Sequence, residues 1–72
     1  SVGIEMVDRV IPRPHYKIDE GGEITSGTLS PSLDKPIGLA MVPPEYSKIG
    51  SQIHVNIRNK SCLATVAPIP FT

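Results

Sequence analysis

Cys62 and His54 are the side chains of this chain best suited to act as a nucleophile and its base. A thiolate works at neutral pH when an imidazole within hydrogen-bond reach takes its proton. With His15 they also make up the imidazole and thiol groups open to a soft metal, but positions 15, 54 and 62 match no zinc spacing. Asp19-Glu20 adjoins a turn signal, where carboxylates are solvated and cap backbone donors, so turn chemistry accounts for the pair better than acid–base catalysis. Gly21-Gly22 lacks the GxGxxG spacing and the following helix that cradle a phosphate, and reads as a hairpin signal. Arg9 and Arg13 flank Val10-Ile11-Pro12, a proline-fixed loop from which a guanidinium can clamp a carboxylate or a partner's Asp or Glu. His15, next to Pro14, reads as a surface residue.

Whether any of these groups meet depends on strands. Eight Pro and six Gly cut the chain into pieces too short for helices, and Ile, Val and Thr dominate between them. The pattern predicts strands over residues 2–7, 15–19, 23–29, 36–42, 52–58 and 61–67. A tight turn at Asn59-Lys60 would set Ile57 opposite Cys62, Val55 opposite Ala64 and Ile53 opposite Val66, all apolar. His54, Asn56, Leu63 and Thr65 then share the other face, so His54 and Cys62 point apart and Cys62 becomes a small core residue. Glu20-Gly21-Gly22 predicts a three-residue hairpin loop that pairs Ile18 with Ile24, and residues 30–36 an irregular connection. Residues 37–42 are apolar on both faces, which demands cover on both. One face would line the core, leaving Gly38, Ala40 and Val42 as a flat outer face open to another backbone. One helical turn is expected over residues 45–48.

Seventy-two residues make one domain at most, and a chain of this length buries only about 60% of the surface its unfolded form exposes. With 4% aromatics and no Trp, the core must be aliphatic and thin, so help from a neighbour is expected. Seven Lys+Arg balance seven Asp+Glu with the cations scattered, which leaves no electrostatic footprint for nucleic acid or an anionic membrane. One cysteine excludes an internal disulfide framework and fits a reducing compartment. No apolar run is long enough to span a bilayer and no leader pattern appears, which points to a cytoplasmic location, or the mitochondrial matrix in a eukaryote. A strand that opens at once after Ser1, without Met, suggests a piece of a longer chain.

The order Thr25-Ser26-Gly27, Ser30-Pro31-x-Leu33, Ile37-Gly38-Leu39-Ala40, Pro44-Glu45-Tyr46, Gly50 and Pro70-Phe71 carries a resemblance over nearly the whole chain. With Val2-Gly3, Ile11-Pro12-Arg13 and Val55-x-Ile57-Arg58-x-Lys60, it resembles the C-terminal domain of the aminomethyltransferase family, the T-protein of the glycine cleavage system. Two features depart from the family pattern: Asn59 stands where Gly is common, and the hairpin over residues 16–23 is short. The resemblance implies an all-β fold, a small six-stranded antiparallel barrel or jelly-roll-like domain over residues 1–72, the last of three in the complete enzyme. It also implies a parent that passes a one-carbon unit from the lipoyl arm of H-protein to tetrahydrofolate, with the catalytic aspartate and folate cavity in the preceding folate-binding domains. No residue here corresponds to that aspartate, so no catalytic, metal or cofactor residue is expected in this chain.

On this reading the domain packs on the folate-binding domains and closes them. Gly38, Ala40 and Val42 are expected at the contact, with Arg13, Ser26, Ser30 and Pro31 in loops near the neighbour. Related folate-dependent demethylases and sarcosine- or dimethylglycine-oxidising enzymes carry a similar terminal domain. A free-standing binding module using residues 26–36 is a further reading. An independent small enzyme would need a convergent nucleophile, base and oxyanion set, and none is visible.

Overall fold

The computed structural model describes residues 1–68. Pro70 and Phe71 lie outside that range. Five strands form one antiparallel sheet: β1 (Val2–Met6), β2 (Glu23–Ser30), β3 (Lys35–Met41), β4 (Gln52–Ile57) and β5 (Lys60–Ala67), in the order β2-β3-β1-β5-β4. Pro43 and Pro44, whose fixed φ suits a helix start, open a 3₁₀ turn over Pro44–Tyr46 in place of the helical turn expected at 45–48.

The expected sixth strand, residues 15–19, is a bridging segment instead. It makes only isolated bridges, Lys17 to Glu23 and Ile18 to Val55, because Pro14 precedes it and His15 takes a left-handed φ of 76°. Its main chain nevertheless reaches both edges of the sheet. Ile24 N–H donates to Tyr16 O and Ile18 N–H to Gly22 O on the β2 side, while Asn56 N–H donates to Lys17 O and Asp19 N–H to His54 O on the β4 side. The sheet therefore curls into a barrel-like shape without a continuous sixth ladder, and both edge strands lose part of their exposed backbone.

Alternation along the strands sends Ile4, Met6, Ile24, Ala40, Ile53, Val55, Ala64 and Val66 into one core with Ile18, Ile57 and Cys62. Burying each Ile contributes roughly 2 to 3 kcal/mol. In β3, Pro36 falls where pairing with β1 has not begun, since that ladder starts at Ile37 with Glu5, so its missing N–H interrupts nothing.

Both predicted hairpins have the right faces and a register shifted by two. Ile57 pairs with Lys60, Val55 with Cys62 and Ile53 with Ala64. The turn is Arg58-Asn59, with φ of 53° and 66°, the left-handed pair of a type I′ turn, and Asn56 Oδ1 accepts from the Asn59 N–H at 3.1 Å. Ile18 likewise faces Gly22 rather than Ile24, with Gly21 N–H closing a turn on Ile18 O at 2.9 Å. The connection after β2 is a compact turn rather than an irregular loop. Ser30 is buried there, its Oγ accepting from Leu33 N–H and its carbonyl from Asp34 N–H.

The largest correction concerns β3. Gly38 and Ala40 face inward, Gly38 opposite Ile4 and Ala40 opposite Val2 and Ile24, and Ala40 is completely buried. Val42 packs against the same core. These three residues are thus no free outer surface. A backbone does approach at Gly38, but it is the chain's own loop: Pro12 lies over the paired glycines Gly27 and Gly38. The outward face of the sheet carries Leu39 beside Gly3 and Ala67, with Met41 half exposed beyond them.

Candidate functional site

Cys62 and His54 do not form a dyad. Cys62 faces Val55 in the core while His54 faces Leu63 on the opposite side. His54 has a different partner, 34 positions away in sequence: its backbone N–H donates to Glu20 Oε1 at 2.7 Å, and its Nδ1 lies 2.6 Å from Glu20 Oε2. Burial pushes the Glu20 carboxyl up, but hydrogen bonds from the His54 side chain and backbone outweigh it and hold its pKa below the ordinary value. Beside it, the Ser61 hydroxyl donates to Asp19. The two carboxylates thus staple the turn to β4 and β5, and Glu20 also accepts from its own backbone N–H.

At the opposite edge His15 and Lys17 both contact Glu23, an exposed cluster in which the Lys17 and His15 hydrogen bonds lower the Glu23 pKa. No set of three His, Cys, Asp or Glu side chains among the described residues could hold a metal ion.

Three surface concavities are lined by described residues. One, of about 420 Å³, lies between Glu5, Arg9, Asp34 and Lys35, and its charges are already matched as Lys35–Glu5 and Arg9–Asp34 pairs. The other two adjoin each other at one end of the barrel, sharing Val10, Ile57 and Arg58. The first of them, about 390 Å³, has Val10, Ile11, Tyr16 and Ile57 as its apolar lining and Arg9, Arg13 and Arg58 as its charged one. The second adds Lys60, Cys62 and Asp8. Cations outnumber acids here four to one.

The expected contact residues are therefore dispersed. Arg13 is exposed at the groove, Ser26 is exposed at the β-bulge of β2, and Pro31 is exposed in the turn after β2. Ser30 is spent on that turn, and Gly38, Ala40 and Val42 serve the interior. Only Arg13 lies in the basic groove. Arg58 joins it from the β4–β5 turn, where its left-handed φ of 53° is unusual for a long cationic side chain and has no local signal in the sequence.

The family profile described as "Glycine cleavage T-protein C-terminal barrel domain" matches residues 1–72. Aminomethyltransferases of Bacillus mycoides (strain KBAB4) and Bacillus cereus (strain B4264) are 47% identical over 74 residues, which is 97% of this chain and 20% of each relative. The crystal structure of glycine cleavage system aminomethyltransferase T from Bartonella henselae superposes with a TM-score of 0.81 at 28% identity, covering 99% of this chain and 21% of that one. The chain spans about a fifth of the length of the relatives it matches. The open, barrel-like sheet, with its motifs in the family order and a profile match from end to end, makes this chain a member of the glycine cleavage T-protein C-terminal barrel domain family.

Proposed function

We propose that this domain is the non-catalytic closing module of a tetrahydrofolate-dependent aminomethyltransferase, packed on the folate-binding remainder of its parent and helping to keep water from the reaction site. The observation that carries this reading is the match to about a fifth of each full-length aminomethyltransferase. The fold supports it: the outward sheet face offers Leu39 and Met41 as apolar surface that a neighbour would cover.

Folate is assigned to the remainder. That remainder makes up about four-fifths of the length of the relatives matched here. The lipoylated H-protein would likewise be a partner of the whole enzyme. This chain's contribution is a rigid face that holds the folate-binding domains together.

The reading is tested with the full-length parent carrying an engineered protease site just before residue 1. After cleavage the domain should stay with the remainder through size exclusion, and aminomethyl transfer to tetrahydrofolate should persist. Separation of the two pieces on cleavage, with full activity in the larger one, would overturn it.

A further inference from the structure

Among the described residues, the basic grooves at the end of the barrel hold a single acid, Asp8, against four cations. Of seven Lys and Arg, three make ion pairs among the described residues, Arg9, Lys17 and Lys35. Of the other four, Arg13, Arg58 and Lys60 line these two grooves and only Lys48 does not. Four of the acids are engaged elsewhere, Glu5 with Lys35, Glu20 with His54, Glu23 with Lys17 and Asp34 with Arg9, and Asp19 accepts from Ser61, so Asp8 is the one acid set among these cations. Zero net charge thus conceals a local excess of cations beside apolar side chains.

Two guanidiniums converge there from separate elements, Arg13 from the loop whose Pro12 is wedged on Gly27 and Arg58 from a type I′ turn. Both backbones are held firmly, so little side-chain freedom beyond the rotamers themselves is lost when a planar acceptor docks. Val10, Ile11 and Ile57 between them lower the local dielectric, which strengthens a charged hydrogen bond and favours an occupant with both a carboxylate and an apolar flank. The relatives place about four-fifths of their length outside the segment matched here, so a parent of that size has ample chain from which to supply such an occupant.

We infer that the Arg13–Arg58 groove is the docking site for an acidic segment of the same parent polypeptide, an Asp or Glu flanked by apolar residues outside positions 1–72. The inference rests on the closing-module reading and adds to it a second contact, charged rather than apolar, on a different surface from the Leu39 face.

The test uses the full-length parent carrying Arg13→Lys and Arg58→Lys, treated with a carbodiimide that joins an amine directly to a touching carboxylate. Peptide mapping of the monomeric product should find the amine introduced at position 13 or 58 bonded to an Asp or Glu outside residues 1–72. Coupling confined to residues 1–72, coupling only between molecules, or none at either position overturns the inference.

A second arm needs no coupling chemistry. In the protein with the cleavable junction, Arg13→Glu with Arg58→Glu should weaken retention of the cut domain about ten-fold or more, and Arg13→Gln with Arg58→Gln should weaken it less. Both arginines are exposed, so neither pair of changes disturbs the core. Undiminished retention in the charge-reversed protein sinks the groove while leaving the closing-module reading standing. Failure of the unaltered domain to be retained sinks both.

Discussion

The carbonyl oxygen of Pro12 occupies the space that a Cβ on Gly27 would need, 1.7 Å from its ideal position. Gly27 is paired with Gly38, and the Pro12 ring lies 3.1 Å from where either Cβ would stand. The loop that carries Arg9 and Arg13 is therefore seated on the sheet by the absence of two side chains. Gly27→Ala should lower stability by about 3 kcal/mol, since the obstacle is backbone and cannot rotate away. Gly50→Ala, with open space around it and strain only from a φ of 93°, should cost about 1 to 2 kcal/mol. Urea unfolding midpoints compare the two, and equal losses would mean the Pro12 loop is not wedged there.

Acid should loosen the turn that holds β4. The Glu20 pKa is depressed in the folded protein, so its contribution is complete above the unfolded value, near the ordinary 4.5, and disappears as pH falls through the lower folded value. Glu20→Gln should remove this part of the acid limb and cost about 1.5 to 3 kcal/mol near neutrality, the range for hydrogen bonds to a charged group. Stability curves from pH 2 to 7 for both proteins check this. An unchanged acid limb in the variant would show that the Glu20 contacts carry no linkage. Glu23 titrates in the same direction but is exposed, and salt should screen it.

Ala40→Lys should unfold the domain rather than merely undock it. Ala40 is fully buried between Val2 and Ile24, and a lysine there would strand a charge in the core at a cost of several kcal/mol. Met41→Lys, one residue along on the outward face, should be tolerated by the fold. Circular dichroism melts separate these outcomes. A folded Ala40→Lys protein would place that side of β3 outside.

The β4–β5 turn makes its own prediction. Asn59 has a φ of 66°, so Asn59→Gly should be close to neutral, whereas Asn59→Ala should cost about 1 kcal/mol. Thermal denaturation distinguishes the two, and an Asn59→Ala protein as stable as the original would argue against the type I′ geometry.

Faces were legible in the sequence because strand alternation has a period of two. The register of both hairpins was not, since a shift of the partner by two residues leaves every side chain on its expected face. Only the turn discriminates, and Arg58 gives no obvious sign that it will adopt a positive φ. The inward placement of Gly38 and Ala40 was hidden for a different reason. Residues 37–42 are apolar on both faces, so their pattern cannot say which side is covered, and the cover proved to be Pro12, 26 positions before Gly38. The Glu20–His54 staple joins positions 34 apart and has no local signature. Arg13 could be singled out from its proline-rich loop, but its groove partner Arg58 becomes a neighbour only when β4 and the 8–13 loop meet.

The central claim is that this barrel supports chemistry carried out elsewhere in its parent. The most direct measurement is the rate of aminomethyl transfer to tetrahydrofolate by the full-length parent, by the parent lacking this domain, and by that truncated protein with the 72-residue chain added back. The account predicts no turnover by the 72-residue chain, a severe loss on truncation and recovery of activity on add-back. A truncated protein as active as the intact one, or turnover by the barrel alone, would contradict it.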